Sequence, residues 1–193
     1  LDRLSEEANE LLTVAAVVGR EFTYQTLALL SEHDDDVLLH LVEEGLAGRV
    51  IEELPEPGRY RFTHALMQET LLAELSTTRR VRLHGRVAEA LEQRFGDNAD
   101  ARAPRLAQHF LESATLNREH AARAVRYSRL AGEQAEGQTA WAEAARHYQA
   151  CATLVEEAAD DLGEDEAALL TALGRCHALA TEYRPAWRSL MRA

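Results

Sequence analysis

The chain opens with two stretches in which apolar residues recur at helical spacing. Ser5, which acidic residues follow, predicts the start of a first helix, and Gly19 predicts its end. Thr23 predicts the cap of a second, shorter helix that contains Leu27 and Leu30. The residues expected to form the apolar face of the first helix are Leu4, Ala8, Leu11, Leu12, Ala15 and Val18.

A third helix and a hairpin follow. The helix is predicted from Asp36 to Glu44 with Gly45 at its end, and its inward residues are expected to be Val37, Leu38 and Leu41. Two strand-like segments come next, at 50–51 and 60–62, joined by a strong turn signal at 55–58. Three helices followed by a hairpin is the element order of a winged-helix domain.

The segment 59–69 changes from strand spacing to helical spacing at a histidine. Tyr60 and Phe62 alternate with polar residues, whereas from Ala65 onward the apolar residues recur at helical intervals. A helix N-terminus presents unpaired N–H groups and a positive dipole end, so His64 is placed to add a hydrogen bond to an anion bound there. The structural alternative is that His64 only caps its helix or packs against Tyr60. The apolar residues predicted on this helix are Met67, Leu71, Leu72 and Leu75.

The second half of the chain has helical spacing throughout. A long helix is predicted to end near Gly96, and after a loop the next helix begins around Pro104. Beyond Asn117 the sequence is rich in alanine, and a set of four residues recurs 42 positions later with the same internal spacing. The set is Gly132, Ala144, Tyr148 and Cys151, which recur as Gly174, Ala186, Leu190 and Ala193. Small residues at such spacing let paired helices approach closely, which predicts tetratricopeptide-like pairs with a lengthened connection at 158–166.

Composition narrows the possible functions. The 193 residues include 46% hydrophobic residues, enough for a packed core, and no apolar run approaches the ~18 residues that predict a membrane span. All 21 basic residues are arginines, so the phosphate-binding loop GxxxxGK[ST] has no lysine to use. The chain starts at Leu1 without a signal peptide, and we interpret it as a piece of a longer cytoplasmic protein. Cys151 and Cys176 fall at helical positions typical of core residues.

The charge distribution argues against a nucleic acid ligand. The net charge is −12, whereas a protein that binds the nucleic acid backbone needs a basic face. The segment 34–44, which includes the predicted third helix, carries five carboxylates and no arginine. It therefore has no side chain with arginine's bidentate reach to guanine. A winged-helix transcription factor that acts directly on DNA remains the alternative function.

Three ordered motifs resemble one known family. Gly19-Arg20-Glu21-Phe22 lies after the first helix, Phe62-Thr63-His64-Ala65-Leu66-Met67-Gln68-Glu69 lies after the hairpin, and Arg79-Arg80-Val81-Arg82-Leu83-His84 comes third. Across about residues 1–157 this combination is similar to the signal-transduction ATPases with numerous domains. That group includes large LuxR-type regulators and cyclase-linked or kinase-linked ATPases.

The resemblance implies a regulatory role without catalysis in this piece. In distant relatives, a winged-helix histidine in a Met-His-Asp motif contacts the β-phosphate of bound ADP, and His64 matches that histidine, with Ala65 in place of the aspartate. The resemblance implies that an upstream ATPase domain of the same chain binds ADP or ATP. With ADP bound, His64 would hold an inactive closed form, and ATP with an inducer would release it. The helical repeats would bind the inducer or a protein partner.

Further candidate groups have both functional and structural explanations. Arg79, Arg80, Arg82 and Arg86 lie near a helix N-terminus, where they either form a docking face for the ATPase domain or phosphate, or form salt bridges with Glu69, Glu74 or Glu89. Three aromatic residues could line a binding groove or belong to the core: Trp141, Tyr148 and Trp187.

We find no catalytic site and no metal site in the sequence. The eight histidines lack zinc-type spacing with the cysteines, so structural histidines are expected. The predicted fold is mainly α, with a winged-helix domain at 1–78 that contains a small β-hairpin. A helical connector at 79–116 and tetratricopeptide-like repeats at 117–193 follow.

Overall fold

The computed structural model describes residues 4–158, 165–181 and 183–193, with the side chains of Tyr183, Arg184 and Trp187 also outside the description. The chain is mainly helical and includes a small three-stranded antiparallel sheet. It divides into two compact units, 1–94 and 95–193. The predicted domain boundaries at 78 and 116 stay predictions.

The first unit begins with three helices and a strand between the first two. They are α1 (Glu6–Val18), β1 (Glu21–Thr23), α2 (Tyr24–Leu30) and α3 (Asp35–Ala47). The predicted caps Ser5 and Thr23 are confirmed, because their side chains accept hydrogen bonds from the N–H groups of Ala8 and Thr26. Helix α3 has a cap that was not predicted, Asp34, which accepts the N–H of Val37. The predicted ends of the first helix, Ser5 and Gly19, are confirmed.

The predicted hairpin belongs to a larger sheet. Strands β2 (Ile51–Glu53) and β3 (Arg59–Phe62) pair antiparallel, and β1 pairs with the other edge of β3, giving the order β1-β3-β2. Gly58 supplies the left-handed conformation of the connecting turn, with φ of 75°. Strand β1 was not predicted, because its three residues are too short to show an alternating pattern.

Two helices complete the first unit: α4 (Ala65–Ala73) and α5 (Thr77–Phe95). Helix α4 starts directly after the sheet, and the predicted inward residue Leu71 is 1% exposed. Helix α5 is held to α2 by its arginines. Arg86 donates to the carbonyl of Leu30 at 2.7 Å, and Arg94 donates to the hydroxyl of Thr26 at 2.7 Å.

The third helix differs from its prediction at its end and on its outer face. It continues past Gly45 to Ala47, and Gly45 is buried inside it, where its missing side chain makes room for Ile51 and Leu12. Leu38 and Leu41 are buried as predicted, but Val37 is 37% exposed. Gly45 therefore does not terminate the helix. Its role is to allow close packing against Ile51 and Leu12, and it does not adopt a left-handed conformation.

The second unit is a series of helices in which each packs on the next. After two short 3₁₀ turns at 96–98 and 100–102, the helices are α6 (Ala103–Ser113), α7 (Arg118–Gly137), α8 (Trp141–Glu157), α9 (Glu166–Leu179) and α10 (Tyr183–Arg192). Pro104 lies in the first turn of α6 as predicted. The cluster between α7, α8 and α9 includes Ala144, Tyr148, Cys151 and Leu173.

The predicted sequence repeat appears as a repeated helix contact. A Cβ atom on Gly132 would lie 2.8 Å from the Tyr148 ring, and one on Gly174 would lie 2.6 Å from Cγ of Leu190. In both helix pairs the glycine therefore lets the larger side chain of the next helix rest on its backbone. The fourth pair of equivalent residues differs, since Cys151 is fully buried and Ala193 is exposed.

Candidate functional site

The predicted site residue His64 lies at the junction between β3 and α4. It is the N-cap of α4, with an extended backbone at φ of −134° and ψ of 138°. Its carbonyl accepts a hydrogen bond from the N–H of Met67 at 3.1 Å. The imidazole makes no capping hydrogen bond, and the residue is exposed. His64 therefore occupies the N-cap position of α4 without a capping hydrogen bond from its side chain.

The backbone around His64 is fixed by its neighbours. Thr63 donates its hydroxyl hydrogen to the carbonyl of Arg49 at 2.8 Å and its N–H to the carbonyl of Val50 at 3.0 Å. One turn into α4, the Gln68 amide donates to the carbonyl of Ala16 near the end of α1 at 2.9 Å. These bonds attach both sides of the junction to the rest of the unit. His64 is thus exposed on a well-anchored backbone.

The first turn of α4 is open on the outside. The N–H groups of the first residues of a helix have no acceptor in a preceding turn, so the positive end of the helix dipole lies beside the imidazole. Leu66 in this turn is 70% exposed, and no acidic residue occupies the turn. The arrangement suits an anion, and a hydrophobic group could pack against Leu66.

Two arginines flank the same end of the sheet. Arg20 lies just before β1, and its backbone carbonyl accepts a hydrogen bond from the N–H of Phe62 at 3.1 Å. Arg49 lies just before β2, and its backbone carbonyl accepts a hydrogen bond from the hydroxyl of Thr63. Both arginines are exposed, and neither guanidinium makes an ion pair with any residue that the structure describes. Sequence reasoning assigned no role to either one, because only strand pairing brings residues 20 and 49 to the end of the sheet where His64 lies.

At the other end of the sheet the arginines form ion pairs with carboxylates. Arg59 forms ion pairs with Glu21 at 2.9 Å and with Glu56 at 2.7 Å, and Arg61 pairs with Glu52 at 2.7 Å. Each of these arginines is neutralised by an adjacent carboxylate. The positive charge of the sheet therefore remains uncompensated only near His64, within the part of the unit that the structure describes.

The arginine-rich start of α5 is only partly engaged. Arg79 contacts Glu10 at 3.4 Å, and Arg86 binds the Leu30 carbonyl, so the salt bridges predicted for these two with Glu69, Glu74 or Glu89 are not the ones formed. Arg80 and Arg82 are exposed and make no ion pair with a described residue. They lie on α5, away in sequence from the junction at His64.

The remaining predicted candidates that the structure describes pack in or against the core of the second unit. Tyr148 is 3% exposed and packs in the core of the second unit, and Trp141 packs partly against that core. Cys151 and Cys176 are free and buried. The side chain of Trp187 lies outside the described residues.

Three histidines are buried. His109 is 2% exposed, His84 is 8% exposed, and His120 contacts the hydroxyl of Ser113 through Nδ1 at 2.9 Å. Within residues 4–158, 165–181 and 183–193, no group of three or more His, Cys, Asp or Glu side chains could hold a metal ion. Over the same ranges, no helix is both long enough and apolar enough to cross a bilayer.

Comparison with known proteins returned no match. No family model, no curated protein and no solved structure is similar to this chain at a significant level. A functional proposal must therefore rest on the residues and their arrangement.

Proposed function

We propose that this chain is a non-catalytic regulatory part of a multidomain cytoplasmic signalling ATPase. Its first unit would act as a winged helix that senses whether an upstream ATPase domain of the same chain holds ADP or ATP. Its helical second unit would bind an inducer or a protein partner. The ordered motifs at 19–22, 62–69 and 79–84 support the proposal through their resemblance to signal-transduction ATPases with numerous domains.

The observation that carries the proposal is the exposed imidazole of His64 at the start of α4, which makes no hydrogen bond with a residue that the structure describes. A histidine that served packing would be buried, as His109 is, and one that served capping would accept an N–H of its own helix. His64 does neither. Its ring is available to a diphosphate that a neighbouring domain presents.

The fold supports the same assignment. Three helices, a strand between the first two, and a hairpin that pairs with that strand are consistent with a winged helix. The repeated contacts of Gly132 with Tyr148 and of Gly174 with Leu190 are consistent with tetratricopeptide-like helix pairs. Such pairs present extended surfaces that suit a partner or an inducer.

Direct DNA reading is the less favoured function. Helix α3 would be the reading helix, and it carries Asp35 and Asp36 in its first turn with no arginine along its length. Its exposed side chains include Val37 and Leu39, which offer no hydrogen bond to a base edge.

The proposal predicts the effect of His64→Ala in the full-length protein. One hydrogen bond to a charged group contributes about 1.5–3 kcal/mol, so retention of ADP should weaken roughly tenfold to a hundredfold, and basal output should rise. ADP dissociation and reporter output measure the two effects. His33→Ala is the matched control, because His33 is also exposed in the first unit but lies outside the junction.

The two results are read together. Weaker ADP retention in His64→Ala, with His33→Ala like the wild type, supports the proposal. Unchanged ADP retention and unchanged output in His64→Ala would overturn it.

A further inference from the structure

The cationic end of the sheet contains more than the histidine. On one edge of β3 the carbonyl of Arg20 accepts the N–H of Phe62 at 3.1 Å, and on the other edge the carbonyl of Arg49 accepts the Thr63 hydroxyl at 2.8 Å. Neighbouring strands are about 4.8 Å apart, and β3 lies between β1 and β2, so the backbones of the two arginines are separated by about 10 Å. The junction at His64 lies between them.

Two arginines without an ion pair in the described residues lie at this end of the sheet. In residues 4–94, five arginines engage a carboxylate, a carbonyl or a polar side chain: Arg59, Arg61, Arg79, Arg86 and Arg94. Arg20, Arg49, Arg80 and Arg82 engage no described residue in this way, although the chain as a whole has a net charge of −12 and offers many carboxylates. Of these four, only Arg20 and Arg49 lie next to the strands of the sheet. An arginine pair that is not neutralised within an acidic chain is available to an external anion.

Arg49 also has an unusual backbone. Its φ is 55°, in the left-handed region, directly after the C-terminal end of α3. Glycine adopts this conformation at lower cost and is the usual residue at such a helix end. The conformation turns the Arg49 carbonyl to the Thr63 hydroxyl, which joins the arginine's backbone to the residue just before His64.

We propose that Arg20 and Arg49 together with His64 form one cationic surface that binds the polyphosphate of a nucleotide. The inference rests on the proposed function and extends it from a single hydrogen bond to a three-residue site. The planar guanidinium groups bind phosphate oxygens through paired N–H donors, whereas the imidazole supplies one. The surface would then distinguish a diphosphate from a monophosphate, because the longer anion can contact both sides of β3.

The test uses the 193-residue chain and inorganic pyrophosphate, with phosphate, ADP and adenosine as further ligands. Binding is followed by calorimetry and by the NMR signals of the histidine rings. Pyrophosphate and ADP should bind more tightly than phosphate, and adenosine should not bind. Higher salt should weaken the binding because the site is exposed.

Arg20→Ala and Arg49→Gly remove the two side chains, and glycine suits the left-handed backbone at 49. Each should weaken pyrophosphate binding by about threefold to tenfold, as expected for exposed charged contacts, and the double variant should weaken it further. Arg102→Ala and Arg146→Ala are the controls, since these arginines of the second unit are also exposed and make no ion pair with a described residue. Thermal unfolding verifies that each variant is folded.

The outcomes separate this inference from the proposed function. Loss of binding in the Arg20 and Arg49 variants but not in the Arg102 and Arg146 variants supports the inference. Equal effects of all four variants, or no pyrophosphate binding by the wild type, would overturn it. If His64→Ala alone weakens binding, the arginine site is wrong while the histidine role stands. If the arginines matter and His64 does not, the histidine role fails and the anion surface remains with two residues.

Discussion

At the scale of single residues, the same residue type serves different purposes in different surroundings. Histidine is the clearest case, because His109 and His120 are buried in the second unit while His64 is exposed at a helix start. Sequence spacing located His64 at a strand-to-helix junction. It could not decide between an exposed and a packed ring, since the backbone on both sides of His64 is held by residues 16, 49 and 50, which are distant in sequence.

The two cysteines illustrate a second residue-scale consequence. Burial, together with the hydrogen bond that Cys176 donates to Oε1 of Glu136 at 3.0 Å, raises the pKa of the Cys176 thiol to about 12. Cys151 is fully buried and donates to the carbonyl of Val125 at 3.5 Å. The thiolate is the reactive form of cysteine, so both residues should be inert in the folded chain.

We therefore expect maleimide or a disulfide reagent to label neither cysteine at neutral pH until the chain is unfolded. In denaturant, both should react at the rate of an ordinary thiol. Mass spectrometry of the labelled chain measures the extent at each position. Rapid labelling of either cysteine under native conditions would contradict the buried placement.

At the scale of secondary structure elements, glycine positions decide how closely the helices of the second unit pack. Gly132 on α7 lies against the Tyr148 ring of α8, and Gly174 on α9 lies against Leu190 of α10. The sequence repeat predicted these contacts because a small residue and a large one recur at matching positions. The structure adds that Tyr148 is 3% exposed whereas Leu190 is 50% exposed, so the first contact is the more tightly enclosed.

Gly132→Ala should destabilise the second unit by about 1–3 kcal/mol. The added methyl would lie 2.8 Å from the Tyr148 ring, and the rigid buried ring has little room to move. Alanine's higher helix propensity offsets the loss by less than about 1 kcal/mol. Chemical denaturation of the variant and the wild type measures the difference.

Gly137→Ala is the matched control for this substitution. Gly137 is the last residue of α7, and a Cβ atom there would meet nothing within 4 Å. Its replacement should leave the stability unchanged or raise it slightly. If Gly132→Ala were as stable as Gly137→Ala, the close contact with Tyr148 would not exist in solution.

At the scale of the whole molecule, charge pairs join elements that are distant in sequence. Glu136 on α7 binds Arg175 on α9 at 2.6 Å and also accepts the Cys176 thiol. Burial alone would raise the pKa of Glu136, but the hydrogen bonds from Arg175 and Cys176 outweigh it and lower the pKa from its ordinary value of 4.5. The carboxylate is therefore favoured by folding.

The sign of the pH dependence follows from this lowered pKa. The contribution of Glu136 is fully present above pH 4.5 and is lost as the pH falls through the lower value of the folded state. Arg175 is more than half exposed, which limits the contribution to about 1 kcal/mol. Glu136→Gln should therefore be less stable than the wild type at neutral pH by about that amount.

Denaturation across a pH series compares the two proteins. Their difference in unfolding free energy should shrink as the pH drops below 4.5, because the wild-type carboxyl group then becomes protonated. It is then uncharged, as the glutamine of the variant is at every pH. A difference that stayed constant through this range would show that the ion pair is not the source of the stability.

Local sequence by itself determined most of the helices, and it also determined β3 and α4, the two elements on either side of His64. Caps such as Ser5 and Thr23, the turn before Gly58, and the repeat around Gly132 depend on neighbours within a few residues or on a fixed spacing, so they can be read along the chain. Only the tertiary structure decided that β1 joins the hairpin and that Gly45 is a packing residue. It also decided that Arg20 and Arg49 lie near the His64 junction and make no ion pair with a described residue. These features depend on strand pairing and helix packing between distant segments. The periodicity of a sequence predicts its helices and strands, but it does not show which distant residues are in contact.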